Sequence, residues 1–291
     1  MRSNSRGARP SSEGKGGRDP SPRVESRSPP PWPPLLRRLT ALSPDWAVWK
    51  NADRAIAGFG DIDSVSPRKD REALLNEFAR WAGSSGLGPM FVCQHLPGSV
   101  LAVAVRDRRE LVELQLCERA VFRGSTLFTA PDVRSLTIMD PRGFRRLRPG
   151  SEGLLLLFHN GMKSGGRPAL DGEKAKRLLE LMRQDPEGVE DGLGLFGPVR
   201  KQARRLASQA VGGGWDRGSA LTVEVWAGLR GFRDPRLLAA RAINRYQWKN
   251  RRYCSLLPVL RRGRSLTGDV DAWLEATSRR HSVREFESPR S

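Results

Sequence analysis

Hydrophobic and polar positions alternate in the first half of the chain and recur with helical spacing in the second. Asp45 to Lys50 (DWAVWK) reads as a short strand and Asn51 to Ala57 as a short helix or turn. Asp61 to Ser66 (DIDSVS) alternates with period two and predicts a second strand. Pro67 and Arg68 then open a predicted helix that runs through Trp81, with Leu74, Leu75, Phe78 and Trp81 on one face. Strands are predicted at Met90 to Cys93, Val100 to Val105 and Leu111 to Leu116. The order β, α, β, α, β, β, β predicts a small α/β (α+β) domain with a mixed sheet over residues 39–148.

From Pro149 onward the spacing is helical, over Glu152 to Met162, Glu173 to Met182, Gly197 to Ala210, Ala220 to Leu229, Pro235 to Tyr246 and Val270 to Thr277. Breaks at Gly165-Gly166, Asp185-Pro186 and Gly212-Gly213-Gly214 separate these segments. A helical domain over 149–285 is the reading, and no internal repeat interrupts it. Residues 1–38 differ from both halves. Arg, Ser, Gly and Pro dominate there, ending in Pro29-Pro30-Pro31-Trp32-Pro33-Pro34, a composition read as a disordered basic tail. On this reading, deleting residues 1–35 leaves the melting temperature of the folded part nearly unchanged.

Composition narrows the classes. The chain has 291 residues with 51 Lys+Arg against 32 Asp+Glu, for a formal charge of +19. The tail carries only +6 of that, so the basic excess also belongs to the folded part. Such a charge favours polyanions, and nucleic acid or nucleotide phosphate stands among the expected partners. Only eight of the 51 basic residues are Lys, a ratio that a GC-rich coding sequence produces as readily as selection for phosphate binding.

No apolar run approaches the ~20 residues of a membrane helix, the longest being Leu154 to Phe158, so no membrane partner is expected. Cys93, Cys117 and Cys254 form no CxxC pair and predict neither disulfides nor a zinc knuckle. With no apolar segment after the first arginines, and with Glu13, Asp19 and Glu25 against a transit peptide, the expected location is cytoplasmic.

The chemistry concentrates in Lys50 to Val65. Asp61 and Asp63, one residue apart on a strand, point to the same face of a sheet, with Ile62 and Val65 pointing the other way into a core. Two like charges held together call for a cation between them. Oxygen-only ligands suit Mg²⁺ or Mn²⁺. A third acid completes a two-metal arrangement, and in the strand Leu111 to Leu116 it is Glu113, which faces opposite to Val112, Leu114 and Leu116. Each residue has a plainer reading. Glu113 is also an exposed charge beside Arg109 and Glu110, Lys50 a solvated strand end, and Asp53 a helix cap. His159 reads as a core or interdomain histidine. Lys163, one turn later, is placed to offer a cation to a triphosphate in an interdomain cleft. The stretches Arg142 to Arg148 and Asn244 to Arg252 read either as a solvated basic face or as a nucleic-acid surface. Gly212 to Gly214 lacks the Lys-Ser/Thr of a P-loop and reads as a turn.

Over about residues 45–130 the chain resembles the DNA polymerase β-like nucleotidyltransferase superfamily. Within it, the chain is similar to uncharacterised bacterial nucleotidyltransferases with a Leu-Lys-Gly, Asp-Ile-Asp-Leu-Leu-Val and Asp-Leu-His pattern. The corresponding residues here are Trp49-Lys50-Asn51, Asp61-Ile62-Asp63-Ser64-Val65 and Glu113-Leu114-Gln115. A weaker likeness continues over Leu154 to Lys163. The resemblance implies a nucleotidyltransferase-like domain followed by a helical one, with Asp61, Asp63 and Glu113 as metal ligands. It places Lys50 and the Asn51-Ala52 turn against nucleotide phosphates, with an NTP as substrate and a small molecule, protein or RNA end as acceptor. Two positions depart from the pattern: Asn51-Ala52 replaces a Gly-Gly or Gly-Ser turn, and Glu113 replaces Asp. The competing reading is a non-catalytic nucleic-acid- or partner-binding protein on the same fold.

Overall fold

A computed structural model describes residues 32–96, 98–107, 110–162, 172–250, 258–259 and 282–284. The first element is a helix, α1 (Trp32–Leu42). Two prolines occupy its first turn, where their missing N–H groups have no intrahelical partner to lose. Trp32, Leu35, Leu36 and Leu39 fall at helical spacing and are all buried. This corrects the tail reading over residues 32–38: the proline run announces a helix start there. Its last residues therefore belong to the core, and residues 1–31 lie outside the described part.

The elements that follow are β1 (Ala47–Lys50), α2 (Ala52–Ile56), β2 (Ile62–Val65) and α3 (Arg71–Ser84). Three long strands come next, β3 (Met90–Leu96), β4 (Ser99–Asp107) and β5 (Glu110–Cys117). A hairpin, β6 (Arg119–Phe122) and β7 (Ser125–Thr129), leads through α4 (Ala130–Val133) to β8 (Thr137–Met139) and β9 (Arg145–Leu147). The fold is mixed α/β. Seven strands form one sheet in the order β3-β4-β5-β2-β1-β9-β8, and short segments β10 (Pro258–Val259) and β11 (Ser282–Arg284) pair with the outer strand β3. β2 runs parallel to β5 and β1 parallel to β9, while the other pairs are antiparallel.

Both faces of the sheet are covered, which the period of two in β1 makes visible. Val48 joins a core with Ile62, α1 and α3, while Ala47 and Trp49 join a second core on the other side. Ile62 and Val65, both expected to point away from the acids, divide between the two: Ile62 does so, whereas Val65, two residues after Asp63, shares the face of the acids and joins the core of Trp49, which corrects that expectation. That second core is shared with the helical half. It holds Leu154 to Phe158 from α5 (Pro149–Leu156) and the single widened π turn after it (Leu157–Gly161), together with the hairpin residues Phe122, Leu127 and Phe128. The remaining helices are α6 (Glu173–Gln184), α7 (Pro186–Gly192), α8 (Arg200–Val211), α9 (Arg217–Gly231) and α10 (Pro235–Asn250). The predicted helix Val270 to Thr277 lies outside the described residues. Gly212 to Gly214 is the turn between α8 and α9, as expected.

Candidate functional site

The site is built on the C-terminal end of β1, the turn after it, and the neighbouring strands β2 and β5. Lys50 closes β1 and stands opposite Asp63 in the β1–β2 register, where its Nζ lies 3.0 Å from Asp63 Oδ1. The Asp63 side chain is 2% exposed, and Oδ1 has no aligned hydrogen-bond donor, so the contact is an ion pair rather than a directional bond. Lys50 also lies over the Trp49 ring, 4.9 Å from its centroid, which shields the pair from water on one side.

Asn51 shows why a residue other than glycine stands in this turn. Its backbone is left-handed (φ 59°, ψ 19°), a conformation that glycine adopts freely and asparagine tolerates better than most residues. Its side chain favours the ionised form of Asp63, an effect that glycine could not supply. Its backbone N–H donates to Glu152 Oε1 at 2.8 Å. The amide that the resemblance places against phosphate is therefore held by a carboxylate from α5.

Gly58 and Gly60, both with positive φ (88° and 102°), shape the loop that delivers Asp61 to the start of β2. In the parallel register Ile62 faces Leu114 and Asp63 faces Gln115, which sets Asp61 beside Glu113 on the face carrying Asp63. The expected sharing of one face by the three acids is thus present. They do not close into a ligand set: among the described residues no group of three His, Cys, Asp or Glu side chains is arranged to hold a metal ion. The donor set still fits a hard divalent cation in chemistry, being all oxygen. Burial first, and then the neighbouring charge of Asp61, push the Glu113 carboxyl up.

Burial also dominates at Asp63, raising it to about 7 against the pull of Lys50, with Asp61 adding to the rise and Asn51 opposing it. The folded protein therefore keeps a proton on Asp63 between about pH 4 and 7 that the unfolded chain releases. Stability falls as pH rises through that window and is no longer affected by this group above it. Urea unfolding of the metal-free protein across the window should show this slope, flattened in Asp63→Asn. An unchanged slope in the variant would assign it to other groups.

Beneath the acids, Gln115 Nε2 donates to Ser99 Oγ at 3.2 Å, and Ser64 Oγ donates to the Gln115 carbonyl at 2.7 Å. Ser99 Oγ is 3.4 Å from Cys117 Sγ, and burial holds that thiol up at about 11, leaving it unreactive.

A second cluster was not legible as one. Arg146, on β9, reaches Asp53 Oδ2 at 2.9 Å, Asp140 Oδ2 at 3.3 Å and Glu152 Oε2 at 3.2 Å. Arg142 bonds Asp53 and both oxygens of Asp140, whose carboxyl its hydrogen bond holds down at about 2. Asp53 makes these ion pairs, and α2 has no side-chain cap, so the cap reading of Asp53 is corrected. Arg148 pairs with Asp185, Glu187 and Asp191, and Arg145 donates to the Pro44 carbonyl at 2.6 Å. The Arg142 to Arg148 run is thus an internal brace rather than a solvated basic face or a nucleic-acid surface. Part of the signal for it was present in the acids Asp140 and Glu152, 2 and 6 residues from Arg142 and Arg146.

His159 packs edge-on against Trp49, with ring centroids 5.3 Å apart, in keeping with its reading as a core histidine. Lys163 lies outside the described residues, as do Arg251 and Arg252. A scan of protein-family models and searches of curated proteins and solved structures find no match to this chain.

Proposed function

We propose that the chain is a metal-dependent nucleotidyltransferase that moves an NMP from an NTP to a hydroxyl acceptor, binding the nucleotide beside the β1–α2 turn. The observation that carries this reading is the placement of Asp61, Asp63 and Glu113 on one face of adjacent parallel strands, at the strand end where Lys50 and a left-handed turn approach. Asp61, Asp63 and Glu113 would hold Mg²⁺ or Mn²⁺, which when bound would neutralise phosphate charge and lower the pKa of an attacking hydroxyl. Lys50 supplies a fixed positive charge at the phosphate side, shared with Asp63. Asp63, raised to about 7, is the group able to accept a proton near physiological pH, and burial raises the neighbouring Glu113 as well.

A second reading is favoured by a specific feature of the same turn. Lys50 is already paired with Asp63, and the Asn51 amide is already donated to Glu152. A non-catalytic protein that binds nucleic acid or a partner on this fold would have no need to release either.

A thermal-shift panel of the four NTPs with Mg²⁺ or Mn²⁺ separates the two, run on the wild type beside Asp61→Asn/Asp63→Asn. At a hundred times its dissociation constant a nucleotide stabilises by about 2.7 kcal/mol. The enzyme reading expects a metal-dependent shift that the double variant loses. No shift in any condition overturns it and moves the function to the second reading.

A further inference from the structure

Helix α9 exposes a face that the interior does not use. Its buried side consists of Ser219, Ala220, Val223, Ala227 and Gly231. On the opposite side Leu221 is 62% exposed, Val225 51%, Leu229 64% and Phe232, which continues the helix at its C-terminal cap, 74%. At about 100° per residue these four fall within a sector of about 80°. Gly218 is the other residue of that sector, with Gly228 and Thr222 about 20° beyond its two edges, so the apolar side chains stand as a ridge. Arg217 borders one edge and Arg233 the other, both exposed, and Arg230 is exposed nearby, over the Trp226 ring.

Among the described residues no acid pairs with these arginines. The three acids on or beside the helix are committed elsewhere: Asp216 to Arg205 and the Ser219 amide, Glu224 to Arg123, and Asp234 to Arg119 and the Leu237 amide. The outward face is therefore apolar along its centre and cationic along its margins. A single exposed Leu needs no explanation, whereas a four-residue stripe bordered by one sign of charge does.

We propose that this face of α9 docks on an anionic lipid surface, lying in the interface with Leu221, Val225, Leu229 and Phe232 toward the acyl chains. Charge complementarity selects this occupant. A second copy of the chain packed on the same stripe would bring Arg217 against Arg233 and the margins of the partner copy, opposing like charges. Nucleic acid would gain from the arginines but has nothing to place on leucine and valine. A ridge that is both apolar and cationic matches acyl chains beneath anionic headgroups. No described helix is long and apolar enough to cross a membrane, and lying on a bilayer makes no such demand.

Co-sedimentation of the full chain with vesicles tests this, comparing phosphatidylcholine alone with phosphatidylcholine containing phosphatidylglycerol. Binding is expected only with phosphatidylglycerol, weakening as salt rises. Leu229→Asp/Phe232→Asp and Arg217→Glu/Arg233→Glu should each lower the partition coefficient by about tenfold or more. Both pairs lie on the surface, so unchanged melting temperatures show that the variants are folded. The proposal is overturned if phosphatidylglycerol vesicles do not bind the wild type. It is equally overturned if Leu229→Asp/Phe232→Asp binds as well as the wild type, since net charge alone would then account for binding. A concentration-dependent dimer in light scattering that the same pair abolishes would assign the face to a second copy instead.

Discussion

Replacing Trp32 by Ala should lower the unfolding free energy by about 3–5 kcal/mol, the range for truncating a large buried aromatic. The Trp32 ring is 1% exposed and stacks on Trp81, with centroids 5.1 Å apart and planes 20° from parallel. Trp81 in turn contacts Phe78 at 5.6 Å, so the cavity would open inside a cluster of aromatics held by two helices. Such a cluster relaxes poorly, which puts the cost toward the upper end. Urea denaturation measures it. Leu42→Ala on the same helix, at a side chain 45% exposed, serves as the control, with a change within about 0.5 kcal/mol. For a chain of this size the Trp32→Ala loss corresponds to a drop in Tm on the order of 10 °C. A drop of only a degree or two would mean that α1 contributes nothing to the core and that the chain folds from residue 43 onward. By the same argument, deleting residues 1–35 removes Trp32 and Leu35 and destabilises the protein, contrary to the expectation from composition.

Glu152→Ala should cost a comparable amount, about 3–5 kcal/mol, through charge rather than volume. The side chain is 1% exposed and accepts from the Asn51 amide at 2.8 Å, from Arg146 at 3.2 Å and from Arg177 at 3.4 Å. Truncation leaves a backbone N–H and a guanidinium group, that of Arg146, buried and short of an acceptor. Asp53 and Asp140 still hold Arg146, so what remains is partial compensation. Glu152→Gln keeps one carbonyl for the amide and loses less, about 1–3 kcal/mol. Equal losses for Ala and Gln would show that the charge, and not the acceptor for Asn51, carries the effect. A cost under about 1 kcal/mol for Ala would show that water replaces the carboxylate at this junction.

What the sequence disclosed and what it hid follow from the range of the interactions. The alternation of Ala47, Val48 and Trp49, and that of Val112, Leu114 and Leu116, reports local geometry, and both strands appear where the pattern places them. The shared face of Asp61, Asp63 and Glu113 was legible for the same reason. Helix α1 was hidden because the prolines at its start resemble those of a linker, while the Trp32, Leu35, Leu36 and Leu39 spacing that marks it is short. The β6–β7 hairpin was hidden because its turn uses Arg123 and Gly124, with φ of 49° and 96°, in place of the Asn-Gly pair that commonly marks such a turn. The Arg142 to Arg148 run was legible only in part, because beside the nearby Asp140 and Glu152 two of its partners are distant: Asp53 lies 93 residues from Arg146 and Asp185 37 residues from Arg148. A cation among solvent-facing neighbours in sequence carries no mark of the acid it meets in space. Asn51 is the mixed case. Its departure from glycine was visible at once, but its compensation, a side chain that favours ionised Asp63 and an amide on Glu152, required the assembled sheet.

The pairing of β1 with β9 bears on how the protein comes into being. Val48 meets Arg146, 98 residues later, and this contact joins β1 to the β9–β8 edge of the sheet. At a synthesis rate of about 5–20 residues per second, β1 waits about 5–20 s on the ribosome for its second neighbour. Over that time Trp46 and Val48 can pack with α1, α3 and Ile62, whereas Trp49 waits for Phe128 and Leu154 to Phe158 on its side of the sheet, an invitation to chaperones and to neighbouring nascent chains. The β1–β9 pairing is thus among the long-range contacts that raise the contact order of the chain, while the helices of the second half close locally.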